Sequence, residues 1–135
     1  MDTISAEKRS NNMKRIRSKD TAPELLVRRL VYSMGYRYRI HYKQLPGKPD
    51  LVFIGRKKVI FVHGCFWHGH NCNKGQRKPK SNQAYWSTKI DSNIERDFKN
   101  RVTLNESGWK ILVLWECELN DLTNTEQRIR IFLDT

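Results

Sequence analysis

The chain has 135 residues, which suits one domain around a single core. Lys and Arg number 26 against 14 Asp and Glu, and the resulting net charge of +12 favours a polyanionic partner, nucleic acid first. No apolar run approaches the roughly 18 residues of a membrane span and the polar N-terminus has no signal-peptide pattern, so a cytoplasmic protein is expected.

Residues 1–19 form a basic arm with Arg9, Lys14 and Arg15, in which Ile4, Met13 and Ile16 are the sparse apolar positions. Such a stretch either folds against nucleic acid or stays a solvated tail. Residues 20–135 are read as one folded domain. Asp20-Thr21-Ala22-Pro23-Glu24 opens a helix: a capping residue, a proline suited to the first turn and an acid at the positive end of the dipole. Leu26, Leu30 and Met34 follow at four-residue spacing, and Gly35 ends the helix.

Tyr36 to Tyr42 alternates and predicts a strand with its tyrosines on one face. Asp50–Ile54 and Lys58–Val62 predict a hairpin that sets Asp50 beside His63. Ser81 to Asn105 predicts a long helix with Trp86, Ile90, Ile94, Phe98 and Val102 as one buried stripe. Trp109–Trp115 reads as a buried central strand with Cys117 just past its end, and Thr123 to Glu126 reads as a capping box that opens a last helix. This order predicts an α/β fold, a mixed central sheet flanked by helices.

The densest chemistry lies in His63-Gly64-Cys65-Phe66-Trp67-His68-Gly69-His70-Asn71-Cys72, which holds three of the chain's 4 histidines and two of its 3 cysteines. An odd cysteine count argues against a disulfide framework. Cys65, Cys72 and the distant Cys117, joined by His70, make a closed Cys₃His set of the kind that holds structural zinc. A hydrophobic content of 38% is lean, and a structural metal would help such a chain fold. Spacing alone does not choose between His70 and His68 as the fourth ligand.

His63 and His68 then remain, with Asp50 at the neighbouring strand end and Glu24 in the first turn of the first helix. Two carboxylates meeting two imidazoles can bind a hard divalent cation and still supply a base or acid. Taken singly, each is as readily a cap, a surface acid or a hydrogen-bonded histidine. Pro49-Asp50 followed by a strand is similar to metal-dependent nucleases of the restriction-endonuclease-like fold. Phe61-Val62-His63 stands where that group has Glu-x-Lys, so His63 and His68 would stand in for the missing acid and lysine. Phe66-Trp67 beside this group is either core or a wedge for base pairs. Trp86 is either core or a third wall of that wedge.

Longer stretches carry a closer likeness. Arg9-Ser10-x-Asn12-Met13, Leu45 to Asp50, His63 to His68 with His70-x-Cys72, Asn93 to Asp97, and Gly108 to Cys117 resemble the Vsr, or very-short-patch repair, DNA mismatch endonucleases. The resemblance implies a restriction-endonuclease-like fold with structural zinc. It also implies magnesium-dependent hydrolysis of one phosphodiester, 5′ to the thymine of a T:G mismatch left by 5-methylcytosine deamination. It further implies that Asp50 and the Val62 carbonyl bind magnesium, that His68 activates water with His63 assisting, and that Glu24 holds metal-bound waters or orients His68. Zinc would sit on Cys65, His70, Cys72 and Cys117; Gly69 and Asn71 replace histidines of the family, which favours His70 as the ligand. Phe66, Trp67 and Trp86 would enter double-stranded DNA from the major groove and Met13 from the minor groove, in a monomeric enzyme. Two alternatives share the same charge and zinc set: a zinc-dependent DNA-binding module without activity, and a same-fold nuclease for another DNA structure.

Overall fold

The structure is a computed structural model that describes residues 21–66, 68–70, 72 and 83–135. The expectations for Met13, Arg9, Lys14, Arg15 and Trp67 lie outside the described residues.

Helix α1 spans Ala22–Ser33, and Thr21 caps it by accepting a hydrogen bond from the Glu24 amide at 3.5 Å. Its buried residues, Glu24, Val27 and Val31, follow the helical period and face the sheet. Gly35 takes φ +96° just past the end, where a side chain would be strained. The predicted strand from Tyr36 to Tyr42 is not regular. Arg39 alone pairs, exchanging two 2.9 Å hydrogen bonds with Val52, and His41 at φ 54° breaks the extended run. Its tyrosine hydroxyls bond elsewhere instead: that of Tyr38 donates to the Arg28 backbone carbonyl at 2.9 Å and that of Tyr36 to the Asp134 carboxylate at 2.6 Å.

Strand β1 (Leu51–Phe53) and strand β2 (Lys58–His63) form the expected hairpin, joined by a 3₁₀ turn (Ile54–Arg56) and a left-handed Lys57. Helix α2 spans Gln83–Glu106, strand β3 Lys110–Trp115, a second 3₁₀ turn Glu116–Asn120, and helix α3 Leu122–Asp134. The sheet order is β1-β2-β3, antiparallel then parallel. Among the described residues strand β2 is therefore the central strand, buried along its whole length, and β3 lies at an edge. The apolar run of β3 looked central because core side chains pack against both of its faces, which its sequence cannot distinguish from a central place. Helix α3 starts earlier than its Thr123 box implied. Asp121 is the cap, accepting from the Asn124 amide at 3.0 Å, while Thr125 is buried and turns its hydroxyl to the carbonyls of Asp121 and Glu118.

Two cores sandwich the sheet. Val27, Val31, Leu51, Ile60, Val62, Leu114, Ile129 and Leu133 pack on the α1/α3 side, and Val52, Val59, Phe61 and Leu104 on the α2 side. The buried Lys58 closes the α3 end, its Nζ donating to the Phe132 and Leu133 carbonyls at 2.7 and 3.2 Å. No helix among the described residues is long and apolar enough to cross a membrane.

The buried face of α2 differs from the predicted stripe. Ile90 and Leu104 are 3% and 0% exposed, whereas Ile94, Phe98 and Val102 are 43%, 61% and 38% exposed. Each four-residue step advances about 40° around a helix, so five such positions drift roughly 160° and cannot share one face. Residues spaced by seven hold the face far better. Leu104→Ala should therefore cost about 2–4 kcal/mol in urea unfolding, and Phe98→Ala less than about 1 kcal/mol; the reverse order would restore the four-residue stripe.

Candidate metal centre and active site

The parallel pairing of β2 with β3 assembles the first cluster. The register sets His63 opposite Trp115. Cys65 and Cys117 each follow their strand by two residues, so the chain delivers them together, and the Cys117 amide donates to the Cys65 sulfur at 3.4 Å. The loop after β2 folds back in tight turns, with the His70 amide on the Cys65 carbonyl at 2.9 Å and the Cys72 amide on the His70 carbonyl at 2.9 Å. Ligand atoms of Cys65, His70, Cys72 and Cys117 consequently lie within 4.8 Å of one another. The Cys117 sulfur is 3.5 Å from His70 Nδ1. A tetrahedral zinc with ordinary bond lengths would place a sulfur and a nitrogen ligand about 3.5 Å apart, so donor types and spacing both fit. Burial pushes the Cys65 thiol up to about 12, so a thiolate here needs a cation beside it. The His70 ring stacks on Trp115 at 4.1 Å, which holds the ligand's orientation.

His68 is committed elsewhere, which separates it from His70. Its Nδ1 lies 2.6 Å from Asp97 Oδ2, on α2. Its ring stacks on that of His63, with centroids 3.9 Å apart and planes 3° from parallel. These three side chains also bring ligand atoms within 4.8 Å. Stacked rings keep their in-plane lone pairs in two parallel planes, which disfavours convergence on one point, so the trio suits hydrogen bonding better than a shared ion. Burial, and then the neighbouring His68, press the His63 imidazole down to about 3, which keeps it neutral near pH 7. Burial alone would raise Asp97, but the hydrogen bond and charge of His68 outweigh it and hold the carboxyl below its ordinary value.

Asp97 closes the Asn93 to Asp97 stretch in the sequence, without a role assigned to it there. It stands seven residues after Ile90 and seven before Leu104, both buried. That spacing puts an acid in line with the core face, a signal the four-residue stripe concealed.

The carboxylate pair gathers on the α1 side. Asp50 Oδ2 accepts from the Val62 amide at 2.6 Å, beside β2's last turn of backbone. The buried Glu24 faces Asp50 from the first turn of α1, and Arg28 lies 3.4 Å from Glu24 Oε2. Burial raises Asp50 to about 7; the Val62 amide opposes the rise and the Glu24 charge adds to it. Two carboxyls held together in this way bind a proton or a divalent cation with equal logic. Asp50 meets the amide of Val62, the residue before His63, and joins Glu24, while His63 alternates with Val62 along β2 and faces α2. The end of β2 thus carries an acidic pair toward α1 and an imidazole–carboxylate group toward α2. Phe66 and Trp86 meet edge to face at 5.5 Å, both half-buried, which joins the loop to the start of α2.

Residues 1–74 match the family of the DNA mismatch endonuclease Vsr. The chain is 52% identical over 133 residues to the type II nicking enzyme V.XorIIP of Xanthomonas oryzae, covering 98% of this chain and 97% of that protein. It is 48% identical over 128 residues to the type II nicking enzyme V.NmeAIP of Neisseria meningitidis, with 95% and 91% covered. It is 41% identical over 111 residues to the DNA mismatch endonuclease Vsr of Escherichia coli, with 82% and 70% covered. With a mixed sheet between helices, a four-donor Cys/His centre and likeness along nearly its whole length, this chain belongs to the Vsr family of DNA mismatch endonucleases.

Proposed function

We propose that this protein nicks one DNA strand 5′ to the thymine of a T:G mismatch, by magnesium-dependent hydrolysis of a single phosphodiester. The observation that carries the reading is the pairing of two unlike groups at the end of β2. A desolvated carboxyl pair, Asp50 with Glu24, stands toward α1, and the His68–Asp97 dyad stands toward α2. Family membership and the relatives named as nicking enzymes support strand-specific cleavage.

Asp50 and the Val62 carbonyl would hold magnesium, with Glu24 as the second acid. When bound there, the ion supplies positive charge beside the phosphate and makes nearby water more acidic. His68 takes a proton from the attacking water. Donation of its Nδ1 proton to Asp97 leaves Nε2 as the acceptor and fixes the ring. His63, neutral and stacked on His68, faces the phosphate as a hydrogen-bonding partner and not as the base. Zinc on Cys65, His70, Cys72 and Cys117 holds the loop that carries His68. Phe66, Trp67 and Trp86 form a wedge whose unstacking costs a few kcal/mol on ordinary DNA, and less at a mismatch. Met13, Arg9, Lys14 and Arg15 of the arm close on the opposite groove and backbone. A monomer suffices for one asymmetric lesion.

A labelled T:G duplex in several flanking contexts, incubated with magnesium, tests the activity. Wild type should nick 5′ to the mismatched thymine, Asp50→Ala should not, and His68→Ala should be slower by about 10²–10⁴. Binding without cleavage in every context would leave a zinc-stabilised DNA-binding module, and preferential cutting of matched or branched duplexes would point to a different substrate. For the metal centre, elemental analysis should find one zinc per chain, and Cys117→Ser should lose it together with several degrees of melting temperature; full zinc retention would remove Cys117 from the set.

The raised Asp50 carboxyl also has a stability consequence. Its native value, about 7, exceeds the unfolded one, so the folded state binds more protons between about 4 and 7 and stability falls as pH rises through that window. Without added magnesium, Asp50→Asn should be more stable than wild type at pH 8 by roughly 1–2 kcal/mol, and the gap should close near pH 4. A pH-independent gap would mean that the carboxyl is not desolvated.

A further inference from the structure

A cavity of about 190 Å³ opens beside the imidazole pair, walled by His63 and His68, by Trp115, and by Ile94, Asp97 and Arg101 of α2. A second cavity of about 10 Å³, roughly the size of one water, lies against Phe61, His63, Asp97 and Arg101. Arg101 lines both, and it has no hydrogen-bond or ion-pair partner among the described residues. Asp97 sits one helical turn before it, the usual place for a partner. That carboxylate instead engages His68 at 2.6 Å. His63 is only 6% exposed, and its Nδ1 lacks a partner among the described residues. A guanidinium with no partner among the described residues therefore shares this space with the ring of His63. An anion rich in oxygen meets it, and a guanidinium fork matches the geometry of phosphate.

Resting on the reading of this protein as a DNA nuclease, we propose that Arg101 binds a phosphate of the cleaved strand in this cavity, on the α2 side of the imidazole pair. The carboxyl pair lies on the α1 side of the same strand end, so the strand is gripped from two sides: through a cation held by acids on one, and directly by a guanidinium on the other. Arg101 was not distinguished by sequence from the other 25 Lys and Arg residues (26 − 1); its place beside Asp97's engaged carboxylate marks it out.

Binding of a labelled T:G duplex and of its matched counterpart, measured without magnesium across a range of salt concentrations, tests this. Arg101→Gln keeps the stem and removes the charge; Arg101→Lys keeps the charge. Loss of one phosphate contact should flatten the slope of log affinity against log salt by about 0.9 in Arg101→Gln, with a loss of affinity on both duplexes alike, while Arg101→Lys keeps the wild-type slope. An unchanged slope in Arg101→Gln, with wild-type thermal unfolding, overturns the assignment. A loss confined to the T:G duplex also overturns it, since that would make Arg101 a reader of the mismatch. Failure of wild type to nick with magnesium would sink the proposed activity alone, because the salt slope is read without cleavage.

Discussion

The parallel pairing of β2 with β3 is the constraint on which the site depends. Setting His63 against Trp115 brings the two strand ends to one level, and the chain leaves both toward the same corner. The two cysteines that follow meet there, and the turn that brings His70 and Cys72 back to them also carries His68 toward α2. A slip of one residue would turn every β2 side chain to the opposite face, separating Cys65 from Cys117 and turning His63 away from His68. Because β2 is buried on both faces, such a slip would also expose core, which makes the register costly to lose.

At this corner the molecule keeps groups that stability alone would not choose. Asp50 is held partly desolvated beside another carboxyl, and His63 is kept neutral within the fold. Both arrangements oppose the charged forms of these side chains, and perturbed groups of this kind cluster at functional sites. Burial of ordinary apolar residues along β1, β2 and α3 offsets the cost.

Helix α2 serves the site with one face and leaves another open. Ile90, Asp97 and Leu104 lie in line, so the same contact that seats the helix on the sheet presents a carboxylate to His68. Gly69, at φ +66°, lets the loop lie against Ile90 and Ile94, where a Cβ would approach their side chains to 2.8 and 2.6 Å. The helix and the Cys/His loop are thereby in direct contact, and the His68–Asp97 pair is built across that contact.

The sequence by itself determined the elements that depend on local pattern: the Thr21–Pro23 helix start, the hairpin around Gly55, the long α2, and the concentration of metal-ligating side chains between His63 and Cys72. It also carried family membership, because long motifs survive without knowledge of their neighbours. What it left open were relations between segments. Nothing local separates a central strand from an edge strand when core packs on both faces. Spacing alone does not tell His70 from His68; the family likeness favoured His70, and the contact of His68 with Asp97 explains that choice. The four-residue stripe failed because helical drift is cumulative and only packing against the sheet selects the buried face. The split of Asp50 and His63 onto different sides of one strand end was decided by tertiary structure, since the pleat and the position of α1 determine which neighbour each side chain meets.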